Sequence, residues 1–237
     1  VSDGTRSGTR LLKYFPVQHP TLIPGDALIA MGSNVYFIGS SQQGAEQLWK
    51  SDGTEAGTVL VKTIGSSWPI ADITEFVLLN NVIYFGAYTK AGTLWRSDGT
   101  PEGTYAAAAP GDPPEIVAWN NTLYLSVYTY PPGTQPHWAL FRSDGTASGT
   151  VELKDIYISF PVVWENRLFF AAMDTDRDTE LWTTDGTSQG TVRIEDLWPG
   201  PNPYSSNPQF LLPTTSGLYF SANDGVHGDE LWRATQP

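Results

Sequence analysis

The chain has no cysteine among its 237 residues. That excludes disulfides, thiolate metal sites and a cysteine nucleophile, and it leaves the redox compartment open. Histidines number three, His19, His137 and His227, and they stand in unlike contexts. Lys and Arg are scarce, 13 against 25 acids, for a net charge of -12. Such a surface repels a phosphate backbone, so nucleic acid is excluded as an expected partner. An anionic membrane surface is disfavoured for the same reason. No apolar run reaches the roughly 18 residues of a membrane-spanning helix, so direct membrane insertion is not expected. There is no Gly-x-Ser-x-Gly elbow, no His-Glu-x-x-His and no glycine-rich phosphate loop ahead of a helix. No secretory leader stands at the start, and Val1 in place of Met suggests a processed chain or an excised fragment.

What is present is repetition. One turn is written five times: Ser2-Asp3-Gly4-Thr5, Ser51-Asp52-Gly53-Thr54, Ser97-Asp98-Gly99-Thr100, Ser143-Asp144-Gly145-Thr146 and Thr184-Asp185-Gly186-Thr187. A second Gly-Thr follows each, at Gly8, Gly57, Gly103, Gly149 and Gly190. A leucine–aromatic pair belongs to each unit: Leu48-Trp49, Leu94-Trp95, Leu140-Phe141, Leu181-Trp182 and Leu231-Trp232, at steps of 46, 46, 41 and 50 residues. A third landmark is an aromatic strand around Tyr36, Tyr84, Tyr124, Phe169 and Tyr219. Two further apolar stretches lie between turn and aromatic strand, Val59 to Ile64 and Phe76 to Leu79 in the second unit. No segment shows a sustained helical period with caps.

Units of roughly 40–50 residues holding four short strands read as propeller blades. The expected fold is therefore all-β: a five-bladed antiparallel β-propeller, four strands per blade, as one domain over 1–237. The first turn lacks its Leu-Trp strand and the last Leu-Trp lacks its turn. Joined, they complete a fifth unit. The spacing predicts a ring closed by pairing of the N- and C-terminal strands, Thr9 to Phe15 with Glu230 to Arg233, which would remove an open sheet edge.

Within the turn, Asp accepts backbone N–H groups and Gly tolerates positive φ. Asp3, Asp52, Asp98, Asp144 and Asp185 are accordingly expected to be structural, as hairpin devices rather than five equivalent ligand sites. The aromatic of each Leu-Trp pair is expected in the core between blades, with a partner for its ring N–H.

Glu180-Leu181-Trp182-Thr183-Thr184-Asp185-Gly186-Thr187 resembles the signature of the ELWxxDGT-repeat proteins of bacterial secretions and surfaces. Glu230-Leu231-Trp232 repeats its first half, and Asn223-Asp224-Gly225 looks like the family's preceding hairpin. Thr93 and Ala139 stand where that family has Glu, and Phe141 where it has Trp. The resemblance implies export and a propeller-type repeat, and no established chemistry. The turn is also similar to the Asp-box of sialidases, which is structural there.

Three groups of residues are candidates for function. Asp26, Glu75 and Glu115 lie nine or ten positions before the central aromatic of three successive units, where the last two units have Phe160 and Phe210. Facing one end of a channel, such a trio could serve a glycosidase as acid and base or nucleophile; solvated loop acids are the plainer reading. Asp174, Asp176 and Asp178 alternate along one hairpin and could offer oxygens to Ca²⁺, though the Gly and distant Glu of an EF-hand are missing. Trp68, Trp138, Trp198, Tyr130 and Tyr204 lie where the units differ. Each could pack against its own blade, or stand exposed to stack on sugar or peptide. The expected function is a non-catalytic binding or structural module of an exported protein: extracellular, on the cell surface or periplasmic. Its partner would be a protein or a glycan, and it would need no cofactor. A propeller lectin is the alternative and a glycoside hydrolase the third reading.

Overall fold

A computed structural model describes residues 4–13, 28–40, 45–65, 73, 76–89, 92–107, 109–200 and 205–235. All regular structure among them is β. The first sheet is β1 (Leu28–Met31), β2 (Asn34–Ser40), β3 (Glu46–Ser51) and β4 (Val59–Thr63). The second is β5 (Val77–Leu79), β6 (Val82–Thr89), β7 (Gly92–Ser97) and β8 (Tyr105–Ala107). The third is β9 (Gly111–Trp119), β10 (Thr122–Thr129), β11 (His137–Ser143) and β12 (Val151–Lys154). The fourth is β13 (Tyr157–Trp164), β14 (Arg167–Met173), β15 (Thr179–Thr184) and β16 (Val192–Glu195). The last is β17 (Gln209–Thr214), β18 (Gly217–Asn223) and β19 (Asp229–Ala234). Strand order follows chain order in each sheet, and neighbouring strands run antiparallel. The chain divides into two compact units, Val1–Asn121 and Thr122–Pro237.

Local sequence explains the meander. Asn80-Asn81, Asn120-Asn121 and Glu165-Asn166 take positive φ between 48° and 60° and close the first hairpin of three sheets. Paired left-handed residues give the turn whose twist matches the flanking strands, and Asn tolerates that region best after Gly.

Each aromatic strand is the buried centre of its sheet. Leu48, Leu94 and Leu140 are fully buried and Leu181 is 3% exposed. In the first unit, Met31, Tyr36, Ile38 and Leu48 pack with Ile83, Phe85 and Trp95 across two sheets. In the second unit, Trp164, Phe169 and Leu181 pack with Leu211, Leu218 and Phe220. Trp95, Phe141 and Trp182 are buried as expected while Trp49 and Trp232 are half-buried, and the ring N–H finds its expected partner only in the half-buried pair. Trp49 Nε1 donates to Gln47 Oε1 at 3.3 Å and Trp232 Nε1 to the Ala222 carbonyl at 2.9 Å. The buried Nε1 of Trp95 and of Trp182 has no hydrogen-bond partner among the described residues. Lys154 Nζ lies 5.8 Å from the Trp182 ring centroid.

The last sheet has three strands. β19 pairs only with β18 among the described residues, and Leu231 is 77% exposed at a position buried in the other four repeats. Thr9–Lys13 carry no strand. Tyr14 and Phe15, the rest of the expected closing segment, lie outside the described residues.

Candidate ligand-binding cleft

The turns come first, because they show what repetition builds. Asp98 Oδ1 accepts the Thr100 N–H at 2.9 Å and the Thr100 hydroxyl at 2.7 Å. Thr100 Oγ1 in turn accepts the Gly103 N–H, and the Thr104 hydroxyl donates back to the Thr100 carbonyl. Ser97 Oγ bonds Thr104 Oγ1 and accepts the Gly99 N–H. The network recurs around Asp52, Asp144 and Asp185. In the first copy Asp3 lies outside the described residues, yet Gly8 N still donates to Thr5 Oγ1 and Thr9 Oγ1 to the Thr5 carbonyl. The first glycine of the turn sits near φ +89°, which only glycine adopts freely. The second is needed for another reason: a Cβ on Gly103 would overlap the Asp98 carboxylate.

These bonds hold Asp52, Asp98, Asp144 and Asp185 below the usual carboxylate range, the Thr hydroxyl being the largest cause. The turn also grips a neighbouring sheet. Lys50 Nζ donates to the Gly99 carbonyl at 3.0 Å, and a Cβ on Gly99 would overlap the Tyr36 hydroxyl. Burial, and then Asp98, push the Tyr36 phenol up. Asp98 Oδ1, Thr100 Oγ1 and Ser97 Oγ thus each accept a bond from within the fold.

The opposite arrangement occurs at one end of the third and fourth sheets, inside the second unit. A cavity of about 540 Å³ is lined by Tyr128, Trp138, Tyr157, His137, Asp155 and Arg177, with Met173, Asp174 and Thr175 beside them. Register explains the gathering. Tyr128 stands opposite Trp138 on β10 and β11, and Tyr157 opposite Met173 on β13 and β14. The Ile158 N–H donates to the buried Ser126 hydroxyl at 3.2 Å and so ties the start of β13 to β10. The loop 130–136 holds three prolines, which restrict its backbone.

The rings form a continuous strip. Tyr130 meets Tyr128 edge-on at 5.3 Å, Tyr128 is tilted on Trp138 at 5.1 Å, and Trp138 on Tyr157 at 4.7 Å between centroids. Tyr130 is 63% exposed, and the other three are half-buried. Asp155, Thr175 and Arg177 make no side-chain hydrogen bond among the described residues, and no ion pair. Asp174 Oδ1 accepts the Asp176 N–H at 3.0 Å, and the Arg177 N–H donates to the Asp174 carbonyl. That hairpin, with Arg177 at φ +61°, sets the cleft's far wall.

Two of the five aromatics singled out in the sequence, Trp138 and Tyr130, thus meet in one place. Trp198 does not join them: its indole lies so close over Gly225 that a Cβ there would overlap it. Trp68 and Tyr204 lie outside the described residues. So do Asp26 and Glu75, while Glu115 is half-buried in β9. Tyr128 and Tyr157 were missed by sequence reading. The signal for Tyr128 was alternation along Tyr124, Tyr128 and Tyr130; Tyr157 had none.

Of the three acids considered for calcium, Asp178 meets acids from elsewhere in the chain. Among the described residues, the carboxylates that converge are Asp178, Glu180 and Asp196, with one oxygen of each within 4.8 Å of the others. Asp174 and Asp176 are not in that group. Arg193 Nη1 lies 2.8 Å from Asp178 Oδ2 and 3.8 Å from Asp196 Oδ2. Glu180 is fully buried and accepts the N–H groups of Leu197 and Ser206 and the Ser206 hydroxyl. Calcium takes six to eight oxygens. Three carboxylates met by one guanidinium and four other donors fall short of that number, and the buried Asp196 Oδ1 is left without a hydrogen-bond partner among the described residues. The group is a clasp holding the chain between β16 and β17. Burial pushes the carboxyls of Glu180 and Asp178 up, Asp196 adding to the rise at Asp178. The Glu of the repeat signature is thereby explained where it occurs in the fourth unit.

No protein-family model matches the chain, and no curated protein sequence does. Solved structures do. A puromycin-hydrolysing peptidase from Mycobacterium tuberculosis matches 90% of this chain and 39% of its own, with a TM-score of 0.54 at 14% identity. A puromycin hydrolase variant matches 83% of this chain and 35% of its own, at 0.53 and 15% identity. A prolyl endopeptidase matches 84% and 33%, at 0.51 and 12% identity. The chain therefore spans about a third to two fifths of those proteins. Likeness at such identity shows the fold alone. It is that of β-propeller domains, and the chain supplies five antiparallel sheets of four, four, four, four and three strands.

Proposed function

We propose that the chain is a non-catalytic binding module of an exported bacterial protein or surface assembly, of the ELWxxDGT-repeat kind, and that the aromatic cleft of the second unit engages its partner, a protein or a glycan. The observation that carries this reading is the strip Tyr130–Tyr128–Trp138–Tyr157, bordered by Asp155, Thr175 and Arg177, whose side chains make no hydrogen bond or ion pair among the described residues. Apolar rings flanked by a few convergent polar groups are the usual make-up of a ligand site. The cleft lies where the repeats disagree. Trp138 stands two residues before Leu140, and the matching positions are Glu46, Gly92, Thr179 and Asp229.

The non-catalytic part of the reading rests on the chemistry of the lining. It offers no Cys or Ser nucleophile, and Asp174 Oδ1 accepts the Asp176 N–H of its own hairpin. The strongly acidic chain argues against nucleic acid. No helix among the described residues is long and apolar enough to cross a membrane. The test is retention of labelled chain on bacterial cell-envelope fractions. Wild type should co-sediment, Trp138→Ala should not, and a polysaccharide hydrolysis screen should stay flat. Retention undisturbed by Trp138→Ala, or hydrolysis abolished by Glu115→Gln, would overturn the reading.

A further inference from the structure

Resting on that reading, we infer that the cleft's occupant is a neutral oligosaccharide, its sugar faces stacked on Trp138, Tyr128 and Tyr157 and its hydroxyls held by Asp155, Asp174, Thr175 and Arg177.

The shape of the aromatic surface speaks first. The rings are in tilted or edge contact with one another, 4.7–5.3 Å between centroids. A cage for a quaternary ammonium needs ring faces standing around a common gap. Here each ring packs on the next, at 57–89° between planes, in a stepped row. The three rings that line the cleft offer separate apolar facets, each of a size for a pyranose face.

The polar groups speak second. Asp155 and Asp174 only accept, Arg177 only donates, and Thr175 and the tyrosine hydroxyls can do both, while His137 Nδ1 is taken by the Gln135 carbonyl. A sugar hydroxyl donates once and accepts as well, so adjacent hydroxyls can satisfy a carboxylate and a guanidinium together. A polyproline peptide is the natural rival for an aromatic groove. It presents carbonyl acceptors and no N–H, and it would leave Asp155 desolvated without a donor. Charge speaks third. The cleft carries Asp155 and Asp174 against Arg177 on a chain of net charge -12, which disfavours uronic and sialic acids.

The experiment is calorimetric titration of the intact chain. Five neutral hexasaccharides serve as probes, built on cellulose, xylan, mannan, amylose and chitin backbones; hexagalacturonate and decaproline form the other arms. At least one neutral hexasaccharide should bind. Trp138→Ala should weaken it at least tenfold, Trp138→Phe should recover part of the loss, and Asp155→Asn should weaken it several-fold. Phe210→Ala, an exposed ring away from the cleft, should bind as wild type does. If Trp138→Ala fails to fold, Asp155→Asn and Tyr130→Ser carry the test. Silence from all five neutral probes overturns the inference, as does tighter binding of hexagalacturonate or decaproline, or binding indifferent to the cleft variants. If envelope retention still depends on Trp138 while protease treatment of the envelope abolishes it, the cleft binds protein. The binding-module reading then stands and the saccharide falls.

Discussion

The turn at Asp98 and the cleft at Trp138 draw on the same residue types and use them in opposite ways. In the turn, an aspartate, two threonines, a serine and two glycines satisfy one another. In the cleft, Asp155, Thr175 and Arg177 border the rings of Tyr128, Trp138 and Tyr157 and have no side-chain partner among the described residues. The turn recurs with the same bonds in four places, and the cleft has no counterpart at the matching positions of the other repeats. Repetition here marks internal bonding, and divergence marks the proposed ligand site. Changes to the repeat should lower stability and leave binding intact; changes to the cleft should do the reverse.

The largest effect on stability is expected in the repeated core. Leu181→Ala removes a side chain only 3% exposed and should cost about 2–5 kcal/mol in a denaturant melt. Leu231→Ala, at the matching but 77% exposed position, should stay within about 0.5 kcal/mol. Equal losses would show that β19 is covered in solution.

Next comes the turn. Gly103→Ala drives a methyl into the Asp98 carboxylate and should cost about 1–3 kcal/mol, as overpacking does. Calorimetric binding by the refolded variant should match wild type.

Acid should act through the same turns. Asp52, Asp98, Asp144 and Asp185 are held low, and Asp224 falls to about 2 beneath the bonds from His227 and Val226. A carboxyl depressed by folding adds stability above its unfolded value, about 3.9 for Asp, and loses it as pH falls through the folded value. Melting temperature should therefore drop as pH goes from about 4 towards 2. Replacing the four turn aspartates by Asn should flatten that slope. Glu180 and Asp178 run the other way: their raised values remove stability as pH climbs through and above the carboxylate range. Glu180→Gln should lessen that high-side loss.

The smallest change in stability is expected in the cleft. Tyr130→Ser, at an exposed loop position, should shift stability by no more than about 0.5 kcal/mol while weakening saccharide binding.

The same contrast explains what could be read from the residues alone. The turns, the Leu-Trp strands and the number of units were legible because each is local and recurs at a near-constant step. The structural role of the turn aspartates was legible too, since their bonding partners lie within a few positions. The second glycine was less so; its reason is an overlap with a carboxylate five residues back. The clasp at Glu180 was invisible because Ser206 is 26 residues downstream in a segment of no pattern. Of the cleft, Trp138 and Tyr130 stood out as departures from the repeat. Tyr128 and Tyr157 did not, because their meeting depends on the register of four strands in two sheets. The alternate acids at Asp174, Asp176 and Asp178 suggested a cation. Arg193, on β16, is what the linear pattern could not place beside Asp178.

The most direct measurement follows the indole N–H resonances of the tryptophans during titration with the hexasaccharide that binds. Trp138 is assigned by its loss in Trp138→Phe. The account predicts that the Trp138 signal moves in saturable fashion while those of Trp95 and Trp182 in the repeated core stay still. A Trp138 signal that stays fixed while binding heat is released would contradict it.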